Sequence, residues 1–115
     1  MSGDARLPRR VGIVGLGLMG ASLARGIRAV DASVHLAAAE TGAEVRARAV
    51  ADGVVDEAHE GPGPWLADRE LVVLCTPVAA IEALVGPVSA LLPAGAVLTD
   101  VGGAKERVVA VARRD

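Results

Sequence analysis

Three glycines spaced as Gly15-x-Gly17-x-x-Gly20 follow directly on the apolar run Val11–Val14 and precede a helical apolar pattern. That order narrows the possible folds more than any other feature of the chain. "VGIV" is a short run ending in glycine, which suits a strand buried on both faces. Beyond the glycines, Met19, Leu23, Ile27 and Val30 recur at three- and four-residue steps, which predicts one face of a helix ending near Asp31. In a strand-turn-helix unit, Gly15 permits the tight turn and Gly17 lets a pyrophosphate approach the backbone, while Gly20 lets helix and strand pack closely. The helix start adds unpaired N–H groups and partial positive charge for the phosphates.

The same stretch has a competing reading. Arg6, Arg9 and Arg10 before an apolar run and the small-residue "ASLA" resemble a secretory signal peptide. That reading removes the first strand and leaves behind four further units of the same kind, so it is rejected. The uncharged stretch Val11–Ala24 is also shorter than the roughly 20 residues that cross a bilayer. Residues 1–10 are read as a loose leader and 11–115 as a single domain.

The units repeat along the chain. "SVHLAAAE" reads as a second strand that stops at Glu40. Thr41 and Glu44 have the spacing of a capping box for a helix running to Asp52 and closed by Gly53. "VVD" at 54–56 suggests a very short strand, and "EGPGP" a surface loop; His59 is placed in a loop and His35 in the second strand, both as packing or surface residues. "LVVLC" at 71–75 is the clearest buried strand, ended by Thr76-Pro77. Val78, Ile81, Leu84 and Val85 predict a helix interrupted at Gly86-Pro87, with a further turn through Leu92. "AVLTD" is a fifth strand, and "VGGAKERVVAVA" a glycine turn into another helix. Alternating strands and helices predict an α/β fold, a doubly wound parallel sheet with helices on both faces.

Glu40 stands 20 residues beyond Gly20, at a strand tip. A carboxylate there accepts hydrogen bonds from an adenosine ribose and repels the extra phosphate of NADP. NAD is the expected cofactor, with NADP left as the alternative by Arg46 and Arg48 on the following helix. Twelve basic and fourteen acidic residues, scattered along the chain with a net charge of −2, argue against nucleic acid as a partner. Cys75, the lone cysteine, fits a reducing cytoplasm and acts as a small apolar residue. No catalytic triad or metal constellation can be assembled, so the chemistry is assigned to the cofactor.

Taken together, "VGIVGLGLMGASLARGI", Glu40, "ADGVVDE", "LVVLCTPV" and "LTDVGGAKERVV" resemble the N-terminal domain of the prephenate dehydrogenase family, from Val11 to Ala112. The glycine motif is shared by many dehydrogenases, but "CTPV" followed by "TDVGGAK" is more particular. The resemblance implies a Rossmann-type fold and NAD-dependent oxidative decarboxylation of prephenate to 4-hydroxyphenylpyruvate in tyrosine biosynthesis. It maps the phosphate turn to Gly15, Leu16, Gly17 and Gly20, with Leu18 and Met19 supplying N–H groups. It maps the ribose acid to Glu40, and the cofactor cleft to Thr76, Pro77, Val78 and Val101.

The chain departs from the family pattern D-V-x-S-x-K at Asp100–Lys105, where Gly103 replaces the serine. The family's catalytic histidine lies beyond Asp115, as does the helical domain through which the family dimerises. At 115 residues the chain is small for an enzyme holding both cofactor and substrate. It is therefore expected to be a cofactor-binding domain, inactive or feeble alone, with no catalytic residue of its own. The alternatives are a stand-alone NAD-binding module, or the cofactor domain of an arogenate dehydrogenase or a β-hydroxyacid dehydrogenase. A bare edge at the fifth strand would favour a homo-oligomer.

Overall fold

A computed structural model describes residues 7–101 and the backbone of 107–110. The elements run β1 (Arg10–Val14), α1 (Leu18–Val30), β2 (His35–Ala39), α2 (Ala43–Ala51), β3 (Glu57–His59), a 3-10 turn (Pro64–Asp68), β4 (Leu71–Leu74), α3 (Val78–Leu91), β5 (Val97–Asp100) and β6 (Arg107–Ala110). They form one sheet in the order β3-β2-β1-β4-β5-β6. The first five strands are parallel, and β6 is antiparallel to β5.

Side chains alternate across a strand, so the register decides which residues meet which helices. Val11 and Ile13 of β1 lie beside Leu36 and Ala38 of β2. All four are buried against Ala24 and Ile27 of α1 and Ala49 of α2. On the opposite face Val14, Val72, Leu74 and Leu98 pack with Ile81 and Val88 of α3 and with Leu66 of the 3-10 turn. A sheet covered on both sides explains why its strands read as continuous apolar runs. The expected α/β class and parallel order are those observed.

Several local expectations give way. The capping box of Thr41 and Glu44 does not form: α2 starts at Ala43 after Gly42, with no side chain capping it. Instead Glu40 Oε2 accepts the Gly42 N–H at 2.9 Å, and Arg46 Nη1 donates to the carbonyls of Glu40 and Thr41 at 2.8 and 3.0 Å. Glu40 thus holds the N–H of the N-cap residue itself, a donor that the Thr41–Glu44 pattern does not address. Val54 and Val55 are buried but are not a strand; β3 follows them, because the Asp56 carboxylate and N–H both bond the backbone of Leu36, each at 2.8 Å. His59 consequently ends a strand instead of sitting in a loop.

The helix expected to break at Gly86-Pro87 is continuous as α3. Proline in a helix interior removes one hydrogen bond and costs about 3 kcal/mol. Both residues lie on the solvent side, whereas Ile81 and Val88, two turns apart, are buried on the sheet. Burial of both halves of the helix outweighs the lost bond. After β5 the chain forms β6 where a helix was expected, with Asp100 opposite Arg107. The β-branched pair Val108-Val109 suits a pleated ladder, and β5 offers backbone groups that a helix would leave unpaired. The unpaired edge expected at the fifth strand is thus occupied. At the other end β1 opens at Arg10, and the Glu70 Oε1 accepts the N–H groups of Arg9 and Arg10 at 2.6 and 2.9 Å.

Carboxylates hold the edge of the sheet where the strands begin. Asp31 pairs with Arg9 at 2.9 Å, Arg10 with Asp68 at 2.7 Å, and Arg28 with Asp56 at 3.1 Å. The Ser33 hydroxyl, the Arg9 guanidinium and the Ser33 N–H hold the Asp31 carboxyl well below its ordinary range. Burial pushes Asp56 up, but the Leu36 N–H and Arg28 outweigh it and leave it lowered. A hydrogen bond from His59 lowers Glu57 despite partial burial. Groups with depressed folded-state values stabilise the fold above their unfolded values, which are 4.5 for Glu57 and 3.8 for Asp31 and Asp56, and lose that contribution on acidification. The melting temperature is therefore expected to be flat from about pH 7 to 5 and to fall below about pH 4.5. A melting series that rises on acidification contradicts these pairings.

Candidate functional site

The turn after β1 is built from backbone approaches that only glycine allows. Gly15 has φ +100°, and a Cβ there would stand 2.8 Å from the Cys75 carbonyl oxygen. Its N–H donates to the Ala39 carbonyl at 2.7 Å, tying the turn to the end of β2. A Cβ at Gly20 would run into the Gly15 carbonyl oxygen, so the first turn of α1 rests on the turn itself. At Gly17 a Cβ would meet nothing within 4 Å. Gly17 is also the N-cap of α1 and brings no side-chain acceptor. The N–H groups of Leu18, Met19 and Gly20 belong to the first turn of α1, where a helix offers its donors no carbonyl one turn behind.

Glu40 closes the second side. Its Oε1 accepts the Leu16 N–H at 3.0 Å and its Oε2 the Gly42 N–H at 2.9 Å. The carboxylate is thereby aimed at the glycine turn by two backbone donors, with further acceptor capacity on each oxygen.

Between these parts lies an open cleft of about 360 Å³ at the strand C-terminal ends. Val14, Gly15 and Gly17 line it from the first unit, Ala39, Glu40 and Thr41 from the second. Cys75, Thr76, Pro77 and Leu84 line it from β4 and α3, and Glu60, Gly61 and Pro62 complete it from the loop after β3. It sits where the chain, having built β2 and β3 on one side of β1, crosses to build β4 on the other, which is the ligand position of open parallel sheets. The Thr76 Oγ1 is buried there without a hydrogen-bond partner among the described residues. A hydroxyl in that state is available to a polar group that enters the cleft. Burial pushes the Cys75 thiol up to about 11, so it stays neutral at physiological pH.

Of the residues expected at the site, Gly15, Gly17, Glu40, Thr76 and Pro77 line the cleft. Leu16 contributes its N–H, while its side chain is buried with the core under α1 and α2. Gly20 sits behind the turn. Leu18, Met19 and Val78 are exposed at the starts of α1 and α3, at the mouth. Val101 donates its N–H to the Leu74 carbonyl at 3.2 Å, at the tip of β5 and outside the lining. Gly103 and Lys105 lie outside the described residues. The wall Glu60–Pro62, with Thr41 and Leu84, was missed from sequence; the signal for it is its place immediately after a strand, which the misplacement of that strand at 54–56 concealed. His35 and His59 do not line the cleft, and both reach Glu57, at 3.5 and 2.8 Å.

The chain matches the family profile "Prephenate dehydrogenase, nucleotide-binding domain" over residues 23–115. It is 29% identical over 101 residues to the cyclohexadienyl dehydrogenase of Zymomonas mobilis, covering 88% of this chain and 34% of that protein. The arogenate dehydrogenase structure from Synechocystis is 33% identical with a TM-score of 0.73, covering 80% of this chain and 32% of that one. A prephenate dehydrogenase structure from A. aeolicus, in complex with hydroxyphenyl propionate and NAD+, is 25% identical with a TM-score of 0.74, covering 84% and 34%. The chain thus spans about a third of the length of these relatives. No described helix is long and apolar enough to cross a membrane.

The contact between Gly20 and the Gly15 carbonyl sets a direct test. Gly20→Val must push α1 off the turn, with an expected loss of about 2 kcal/mol or more in a denaturant titration. Gly26→Ala, on α1 with open space around it, is expected to be neutral or stabilising. Equal effects of the two substitutions would contradict this packing.

Proposed function

The chain belongs to the prephenate dehydrogenase family, and on that premise we propose that its cleft binds NAD as the cofactor of a prephenate or arogenate dehydrogenase. The observation that carries this is the Glu40 carboxylate, fixed by the Leu16 and Gly42 N–H groups at the tip of β2 beside an open glycine turn. In this reading the pyrophosphate lies against Gly15, Leu16 and Gly17 and takes the free N–H groups of Leu18, Met19 and Gly20. Glu40 accepts the ribose hydroxyls on the lone pairs its backbone donors leave free. Thr76 gives its buried hydroxyl to the cofactor, and Pro77, Val78 and Val101 bound the nicotinamide end.

NAD is favoured over NADP because Glu40 and Glu60 both line the cleft, and the extra ribose phosphate of NADP would meet their charge. Arg46, the nearest cation along the chain, is already turned to the carbonyls of Glu40 and Thr41.

Held by these residues, NAD would supply the hydride acceptor for the oxidative decarboxylation of prephenate to 4-hydroxyphenylpyruvate and carbon dioxide. This chain's residues bind and orient; the proton-handling group is assigned to a part of the enzyme outside them. Two observations support that division: His35 and His59 do not line the cleft and both reach Glu57, and Gly103 stands where the family has serine. The isolated chain is accordingly proposed to hold the cofactor with little or no turnover.

Calorimetric titration is expected to give NAD binding tighter than NADP. Glu40→Ala should weaken NAD about tenfold or more, the loss of hydrogen bonds to a charged acceptor, and narrow the NAD/NADP gap. Prephenate added with NAD should give little reduced cofactor. Absence of NAD binding at millimolar concentration, or an unchanged preference in Glu40→Ala, sinks the site assignment; rapid turnover sinks the division of labour.

A further inference from the structure

We propose that Trp65 is a positioning residue for the cofactor, holding the Glu60–Gly61–Pro62 wall of the cleft through its indole N–H and its stack on His59. The proposal rests on the reading of the cleft as an NAD site and adds to it a residue that does not line the cleft.

The wall is a poor candidate for holding itself in place. It belongs to the segment Glu60–Pro64, in which two glycines alternate with two prolines and no residue before Pro64, the first of the 3-10 turn, is in a helix or strand. Its prolines offer no N–H to a partner and its glycines bring the widest backbone freedom. Yet three of its residues line the cleft together with Glu40 and Thr41.

Trp65, the first residue past this segment, supplies the missing restraint. Its Nε1–H donates to the Gly61 carbonyl at 2.9 Å, so the loop folds back over the indole. Gly63 passes close along the ring, where a Cβ would stand 3.6 Å from Cδ1. The indole lies flat on His59, with centroids 4.8 Å apart and planes 5° from parallel. It also reaches β1, where a Cβ on Gly12 would meet Cζ3 at 3.4 Å. The wall is therefore referenced to three strands at once: to β1 through Gly12, to β3 through His59, and to β2 because the His59 carbonyl accepts the Glu40 N–H at 2.8 Å.

His59 is itself fixed. Its Nε2 lies 2.8 Å from Glu57 Oε1, and Glu57 Oε2 is 3.5 Å from His35 Nε2. His35 Nδ1 is 2.8 Å from Nη1 of the buried Arg69. A guanidinium has only N–H groups to give, so this Nδ1 accepts, and the His35 proton sits on Nε2 toward Glu57. The chain Arg69–His35–Glu57–His59–Trp65–Gly61 thus runs from the core to the cleft wall, with Trp65 as the link that touches the wall. The distance between the wall and Glu40, and with it the width offered to the adenosine half of a dinucleotide, is set by that link.

Three variants test this in the full chain. Trp65→Phe keeps a ring to lie on His59 but loses the N–H; Trp65→Leu loses both. Val88→Ala, in the core under α3 and away from the cleft, serves as a control for lost stability alone. NAD affinity by calorimetry is expected to fall about 3- to 10-fold in Trp65→Phe, the effect of one hydrogen bond, and further in Trp65→Leu. Val88→Ala should melt earlier with unchanged NAD affinity. Since Trp65 is the chain's single tryptophan, its emission in the unmodified protein should change on NAD addition with the calorimetric Kd.

Wild-type affinity in Trp65→Phe overturns the proposal, as does an emission that stays constant while calorimetry saturates. If the variants do not fold, the emission titration of the unmodified protein decides alone. A protein that binds no NAD at all fails the reading of the cleft itself. Loss of binding in Glu40→Ala with none in Trp65→Phe fails only the positioning role.

Discussion

The structure depends first on the contact between the start of α1 and the turn that ends β1. A helix can lie this close to its own preceding strand only if the residue facing the turn has no side chain, and Gly20 meets that condition against the Gly15 carbonyl. The approach has two effects. It drives Ala24 and Ile27 of the same helix face into the core over Val11, Ile13, Leu36 and Ala38, and it leaves the helix N-terminus beside the strand end instead of beyond it. Packing and binding geometry are therefore products of one contact. A larger residue at Gly20 would disturb the core and move the N–H groups of Leu18 and Met19 together.

This coupling explains which features were legible before the fold was known. Gly15, Gly17 and Gly20 could be read from spacing because each answers a local backbone requirement, and Glu40 because a fixed strand-helix-strand length places it at the tip of β2. Elements decided by distant partners misled. Thr41 and Glu44 have a sound capping pattern, but α2 starts one residue later than it requires, at Ala43 after Gly42, whose N–H the Glu40 carboxylate holds. Pro87 reads as a helix end, but Val88 beyond it is buried on β4 and β5. The segment after Val101 has glycines and helix formers, yet the open edge of β5 recruits Arg107–Ala110 into the sheet.

The wall Glu60–Pro62 is the instructive case within the site. Its composition says only that it is a loop, and nothing in "EGPGP" marks it as cleft rather than surface. Its place follows from where β3 ends, and that in turn from Asp56, whose carboxylate and N–H both bond Leu36. A misread of three residues in a strand hid one side of the pocket. Trp65 was equally silent in the sequence, because its role depends on the Gly61 carbonyl and His59 being brought to it.

The two edges of the sheet differ in how their polar groups are satisfied, and this difference bears on what the cleft can take. Where strands begin, Asp31, Asp56 and Glu70 accept backbone N–H groups, and Arg9, Arg10 and Arg28 pair with Asp31, Asp68 and Asp56. Such exposed pairs are individually weak, and the Nε atoms of Arg10 and Arg28 stay without a hydrogen-bond partner among the described residues. Where strands end, the Thr76 hydroxyl is unpartnered, α1 begins with free N–H groups, and the described lining residues include two glutamates and no lysine or arginine. Side-chain charge at this end opposes an anion, so attraction must come from the backbone dipoles of the helices that start here, α1 first among them, which act only within about one turn of the helix start. A diphosphate is best received at the Gly17 gap itself, whereas an additional phosphate placed toward Glu40 would meet the carboxylate's charge beside the start of α2. Selection in this cleft is therefore a matter of where each charge lies, and the empty space at Gly17 is what makes the favourable position reachable.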